Sequence, residues 1–314
     1  VTRFAGHTPA SSDILEAVSG EPAFPEPVIL GAGALGSAIA DYAARGGTKK
    51  FKIFDSDRYL PHNIARHRGG RSDIGETKTT AISKLLSDRA QDIEIDATPT
   101  DFDIGTTADL AKQIESYGVV VDATAEPSVR SLLSKRDLPS SRLARLEIFN
   151  RGLLGIGFLT TLGSAHSLNF LYYQLIAMAY GEPALASWLK YETSGDFIAE
   201  ELLLGFGCSS QTTRLAAYKV ENHASALFAF TKSHLTKSNT ALIGLHEIDE
   251  RGIVRQFKCV TPAPVVKFEN SEGLNGWRII VSESALAQIH DQKTSMSPNE
   301  TGGYLYGAAG GGAA

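Results

Sequence analysis

Apolar positions in this chain follow two patterns that take turns from about residue 27 to residue 150. Short unbroken runs alternate with stretches in which apolar residues recur every three or four positions. "PVILG" (27–31) reads as a strand and 34–45 as a helix. "KFKIFD" (50–55) is a second strand, and "TKTTAISKLLSDRA" (77–90) a helix with Ala81, Ile82, Leu85 and Leu86 on one stripe. "IEIDATP" (93–99), "ADLAKQIESY" (108–117), "GVVVDAT" (118–124), "PSVRSLLSKR" (127–136) and "ARLEIFN" (144–150) continue the alternation. Strand, helix and strand at this spacing predict an α/β fold, a doubly wound and mainly parallel sheet with helices on both faces.

The flanks read differently. Residues 1–24 form a polar N-terminal segment with one short helix in "SSDILEAVSG". From about 167 to 236 the pattern is helical, and residues 239–269 look β-rich, with a turn at Glu250-Arg251-Gly252 between "ALIGLHEID" and "IVRQFKCV". "WRIIVSESALAQIHDQ" (277–292) is a strand then a helix, N-capped by Ser282 or Ser284. The tail "GAAGGGAA" has no side chains to pack. These shifts predict a segment over 1–24, a main α/β domain over 25–236 and a smaller α+β region over 237–314. A start at Val1 in place of Met suggests a fragment or processed chain.

Composition narrows the function classes. Over 314 residues, 43% are hydrophobic and 21% charged, as in an ordinary globular protein. The net charge of −5 makes general nucleic-acid binding, which rests on phosphate neutralisation, a poor fit. Cys208 and Cys259 cannot build a four-thiolate zinc site or a disulfide scaffold, which suggests a reducing, cytoplasmic compartment. No apolar run is long enough to cross a bilayer; "NFLYYQLIAMAYG" is short and carries Gln174. No charged-then-apolar signal segment opens the chain.

Candidate chemistry starts at "ILGAGALGSAIADYAARGG" (29–47), where Gly31, Gly33 and Gly36 make a G-x-G-x-x-G between strand and helix. The first glycine permits the tight turn, the second lets backbone approach a phosphate, and the third packs helix against strand, as in Rossmann-like nucleotide-binding folds. The helix N-terminus presents oriented N–H groups to the anion. A tight turn with no ligand is the plain alternative. Asp55 ends the second strand, where a carboxylate accepts hydrogen bonds from ribose hydroxyls. An NAD(P)-dependent oxidoreductase fits equally well to this point.

The segment "DSDRYLPHNIARHRGGRSDIGETK" (55–78) separates the readings, because it concentrates Arg58, Arg66, Arg68, Arg71 and Lys78 in an acidic protein. Lys78 falls in the first turn of its helix, where the macrodipole disfavours a cation unless an anion binds there. Cations beside a phosphate turn suit phosphoryl chemistry; the alternative is a solvated basic loop. Asp122 closes the fourth strand, facing the same crevice, where a carboxylate can hold Mg²⁺ or cap the next helix.

Asp55-x-Asp57, Asn63, Arg66, Gly75-x-x-Lys78, Asp122 and Arg130, downstream of "GAGALG", resemble the ThiF/MoeB/ubiquitin-activating superfamily over roughly residues 25–230. The resemblance implies that Gly31, Gly33 and Gly36 cradle ATP and Asp55 binds its ribose. Asn63, Arg66 and Lys78 would take the phosphates, Asp57 would support the nucleotide and Asp122 would hold Mg²⁺. It implies ATP-dependent adenylation of the C-terminal carboxylate of a ubiquitin-like protein, in a homodimer. The paired C-x-x-C zinc motifs of some members are absent, and the family's N-terminal arginine has no clear counterpart beyond Arg3.

Two further residues extend this picture. Cys208, in a Gly-rich turn ahead of a long helix, is placed for a lowered thiol pKa and for taking an acyl group as a thioester; a small buried apolar group is the alternative. Cys259, inside a strand-like run, reads as core. "ETGGYLYG" (300–307) resembles the opening of a JAB/JAMM metallopeptidase domain, with Glu300 as its acidic residue. No H-x-H pair occurs in the chain, so the zinc site is incomplete and no peptidase activity is expected of it. The combination suggests a bacterial conjugation pathway of antiphage type, with a ubiquitin-like protein and a conjugating-enzyme-like protein as partners. An NAD(P)-dependent oxidoreductase and a non-catalytic dimeric scaffold are the alternatives.

Overall fold

The computed structural model describes residues 10–101, 116–134, 141–162, 166–179, 181–193, 211–235, 240–269 and 278–296, with 114, 164 and 201–203 besides. Arg3, Cys208, Glu300 and most of the predicted helix over 108–117 lie outside the described residues. Strands β1 (Pro27–Leu30), β2 (Lys50–Phe54), β3 (Glu94–Thr98), β4 (Val119–Asp122) and β5 (Arg142–Phe149) pair in parallel in the order β3-β2-β1-β4-β5. β1 and β4 are buried at every position, which is why they read as unbroken apolar runs.

Beyond β5 the pairing turns antiparallel, so the sheet is mixed where the sequence predicts a mainly parallel one. β6 (Leu154–Thr161) returns along β5 after the short helical turn Asn150–Gly152, with no crossover helix to restore parallel order. β7 (Glu201–Leu203) and β8 (Gln211–Thr213) form a separate small hairpin. β9 (Leu242–Ile248) then pairs with β6, and β10 (Val254–Val260) with β9, closing an eight-stranded sheet. β9 and β10, which follow residue 236, thus belong to the same sheet as β1–β6. Cys259, predicted as core, stands exposed on the edge strand β10. β11 (Val265–Glu269) and β12 (Arg278–Ser282) make a second hairpin.

Helices cover both faces, as predicted. α1 (Ser12–Ser19), α2 (Ala34–Arg45) and α3 (Lys78–Ser87) precede α4 (Pro127–Leu133), α5 (Leu168–Met178), α6 (Pro183–Thr193), α7 (Ala217–Leu235) and α8 (Glu283–Met296). Ile39 of α2, Ile82 and Leu86 of α3, and Ala224 and Leu227 of α7 pack on one side with Ile29, Ile53 and Val121. Val129, Leu171, Leu175 and Trp188 pack on the other with Val28, Leu30, Val120 and Phe158. The consequence for function is topological. β1 lies between β2 and β4, so the chain leaves its carboxyl end toward one side while β4 leaves toward the other, opening a crevice there.

Candidate functional site

The turn between β1 and α2 is fixed by contacts that only glycine permits. Gly31 has φ +86°, and a Cβ there would lie 3.0 Å from the backbone of Thr124 after β4. A Cβ on Gly36 would lie 1.9 Å from the Gly31 carbonyl oxygen, so the helix closes directly onto the turn. Gly33 differs: nothing stands within 4 Å of the position its Cβ would take. It N-caps α2 and has no side chain to accept a hydrogen bond from the first N–H groups of that helix. A cradle with open space and oriented donors is what an anionic group fits.

Asp55 braces the turn from β2. Its Oδ2 accepts the Ala32 N–H at 2.7 Å and its Oδ1 the Asp57 N–H at 2.8 Å. Burial pushes its carboxyl pKa up, against the opposing charge of Lys78. Lys78 opens α3, whose N-cap Thr77 accepts the Thr80 N–H. The Lys78 ammonium bonds Asp57 at 2.5 Å with a largely buried side chain, so Asp57 offsets the unfavourable helix dipole. Arg66 follows the helical turn Pro61–Ala65, half-buried, and burial lowers its pKa. Burial first, then the charges of Arg66 and Lys78, lower the His62 pKa. Asn63 accepts the Leu60 N–H at 2.7 Å and closes that turn.

The rest of the basic segment goes elsewhere. Arg58 donates to the Gly75 carbonyl at 2.7 Å on the exposed side. Arg68 bonds Glu221 of α7, lies 3.6 Å from Asp41 and covers the Tyr42 ring. Arg71 is exposed. Arg130 donates to Asn169 at 3.1 Å and stacks on Tyr172 at 3.8 Å, against α5. Of the five cations concentrated in the sequence, Arg66 and Lys78 are the two whose charges act on His62.

Asp122 is the carboxylate the resemblance gives to Mg²⁺. It is fully enclosed, with Oδ1 accepting from Thr124 N–H and Oγ1 at 3.0 and 2.7 Å and Oδ2 accepting from Arg145. Arg145 also donates to Glu147 at 2.7 Å, and all three side chains are buried. The Thr124 hydroxyl in turn accepts the N–H of Glu126, the N-cap residue of α4. Asp122 thus organises the approach to α4. Its charge is met by a guanidinium, with no face left for a hydrated divalent cation. These contacts do not fit a Mg²⁺ site at Asp122. Among the described residues, no group of three His, Cys, Asp or Glu is placed to hold a metal, and no helix is long and apolar enough to cross a membrane.

Two residues given no role in the sequence stand beside the turn. Arg145 emerges only because β5 pairs with β4 and sets Asp122 opposite it. His67, buried, contacts the Ala32 carbonyl through Nε2 at 2.6 Å. A lone histidine in a basic segment gives no signal of such a contact.

Residues 25–139 match the ThiF family. An ATP-dependent ubiquitin transferase-like protein, Cap2, of Pseudomonas aeruginosa is 31% identical over 105 residues, covering 32% of this chain and 18% of that protein. An adenylyltransferase and sulfurtransferase, MOCS3, of Dictyostelium discoideum is 31% identical over 108 residues, covering 34% of this chain and 25% of that protein. Among solved structures, Escherichia coli MccB with ATP superposes with a TM-score of 0.51 at 15% identity, over 80% of this chain and 65% of that one. The chain thus spans a quarter or less of these two curated relatives. Residues 25–139 are thus similar to the ThiF family, and the sheet that contains them shares its fold with MccB.

Proposed function

We propose that this chain binds ATP in the crevice between β1 and β4 and adenylates the C-terminal carboxylate of a ubiquitin-like protein. The observation that carries the reading is the open space at Gly33, at the start of α2, beside Asp55 and His67, which bond Ala32 and on both of which the Lys78 charge acts, with Arg66 next to His67 in the chain. A dinucleotide would use the same turn and Asp55, but it has little need of two cations beside them. The names of Cap2, an ATP-dependent ubiquitin transferase-like protein, and of MOCS3, an adenylyltransferase, support the same direction.

A carboxylate oxygen of the acceptor attacks the α-phosphorus of ATP. One P–O bond forms, the bond to the β-phosphate oxygen breaks, and pyrophosphate leaves. The carboxylate is already ionised at neutral pH, so no general base is needed. This chain positions the reactants and stabilises charge. The N–H groups at Gly33 and the start of α2 face the phosphates, and Arg66 and Lys78 offset the charge on the leaving pyrophosphate. Asp57 keeps the Lys78 ammonium in place before the nucleotide arrives. Asp55, braced by two backbone N–H groups, is the group for the ribose hydroxyls. On sequence grounds the acyl group then passes from the adenylate to the Cys208 thiolate, with release of AMP, and onward to a conjugating-enzyme-like protein.

Isotope exchange between pyrophosphate and ATP tests the first step. Exchange that depends on an added ubiquitin-like protein is the expected result, with Cys208→Ser retaining exchange while losing acyl transfer. Nicotinamide turnover, or no nucleotide binding in any form, overturns the reading.

A further inference from the structure

His67 has no part in the adenylation chemistry above, yet it is buried against the phosphate turn. Its two ring nitrogens have fixed roles. The Gly69 N–H lies 2.9 Å from Nδ1 and can only donate, so Nδ1 is a bare acceptor. The proton therefore sits on Nε2, which donates to the Ala32 carbonyl at 2.6 Å. Burial pushes the imidazole pKa down to about 4, the Lys78 charge pushing the same way and Asp73 against it, so the neutral form persists at neutral pH.

The Ala32 carbonyl and the Gly33 N–H belong to one planar trans peptide unit and point in opposite directions. Holding the carbonyl toward His67 therefore aims the Gly33 N–H away from it. The Ala32 N–H is held independently by Asp55, so Ala32 is gripped at both of its polar atoms. His67 is itself fixed: Tyr59 packs edge-on against the ring at 4.8 Å and donates from its hydroxyl to the Gly69 carbonyl at 2.8 Å. The His67 N–H bonds the Asn63 carbonyl at 2.8 Å, so the same anchor carries the backbone of the preceding Arg66.

We propose that His67 is a positioning residue, which sets the Ala32–Gly33 peptide plane and docks the Arg66 segment onto it for recognition of the nucleotide's phosphates. The inference rests on the nucleotide reading above and assigns phosphate recognition to a side chain that touches no substrate.

The test compares affinities for ATP and adenosine, which share the base and ribose but not the phosphates. His67→Gln keeps a donor at the reach of Nε2; His67→Asn keeps an acceptor for Gly69 and loses that reach. Losing one hydrogen bond to a charged group corresponds to roughly a tenfold or larger drop in affinity. H67N should therefore weaken ATP binding about tenfold with adenosine binding unchanged, and H67Q should restore ATP binding. A merely structural role would lower both ligands together. If wild type binds ATP and H67N binds it equally well, this proposal fails and the nucleotide reading stands. If wild type binds neither ligand, both fail. Should H67N not fold, nitrogen-15 spectra of the wild-type imidazole decide: a neutral Nε2–H ring from pH 5.5 to 8 is expected, and a ring titrating near 6.5 overturns the proposal.

Discussion

The three glycines of the turn share a motif but not a physical role, and their alanine variants should separate binding from folding. Gly33→Ala places a methyl group where nothing lies within 4 Å, at φ −72°, which any residue adopts. Its folding cost is the weaker N-cap preference of alanine, about 1 kcal/mol or less. Gly36→Ala puts a Cβ 1.9 Å from the Gly31 carbonyl oxygen, and that atom is backbone that cannot swing aside. Helix α2 must move by more than an ångström, an overpacking cost of about 3 kcal/mol or more. Gly31→Ala adds left-handed strain of about 1–2 kcal/mol to its 3.0 Å approach to Thr124.

Urea unfolding should thus rank the variants G33A, G31A, G36A from most to least stable. ATP affinity, measured on folded protein by calorimetry, should show the opposite emphasis. A methyl at residue 33 obstructs the approach of a phosphate to backbone and forfeits a charge-assisted hydrogen bond of about 1.5–3 kcal/mol, roughly tenfold or more in affinity. A G33A protein that unfolds like wild type and also binds ATP like wild type would refute the placement of phosphate against this turn. Loss of stability in G33A comparable to G36A would refute the claim that the space is open.

Two other perturbations probe the surroundings of the site. Arg145→Met leaves the buried Asp122 and Glu147 carboxylates without their cation and should destabilise by about 3–5 kcal/mol; adding Glu147→Met should recover part of that loss, and strict additivity in urea unfolding would count against a coupled triad. His67 and His223 both have folded-state pKa values of about 4 against 6.5 unfolded, so the unfolded chain binds more protons between those values. Stability should be level above pH 7 and fall as pH drops from about 6.5 to 4, by of order 3 kcal/mol per histidine, with His223→Asn flattening the slope; no pH dependence in that window would show that these rings are not buried neutral.

What the sequence made legible follows from how local each signal is. The turn 31–36, its flanking strand and helix, and Lys78 at the start of α3 are set by residues within a few positions of each other, and all appear where the pattern predicts. β6 escaped because Gly155 and Gly157 break its apolar run. Both glycines are needed by the long-range fold: a Cβ at Gly155 would lie 2.4 Å from the His223 ring of α7, and one at Gly157 would lie 3.0 Å from Phe230. A strand hollowed to admit a helix carries no periodic signature. With β6 unseen, β9 and β10 had no visible partner and read as a separate region, although they complete the sheet.

The basic segment shows the opposite failure, a local signal that says too much. Five cations within 21 residues look like one patch, but a side chain's direction depends on which element its backbone meets. The bridge between Arg58 and Thr77 leaves Arg58 on the exposed side, and Asp41 of α2 and Glu221 of α7 draw Arg68 toward those two helices. The backbone of Arg66 is tied to the turn through the neighbouring His67. Charge content therefore identified the segment, while contacts distant in sequence set where its side chains go. The same logic applies at Asp122, whose meaning changes from metal ligand to partner of an internal cation once β5 is laid beside β4 and brings Arg145 opposite it.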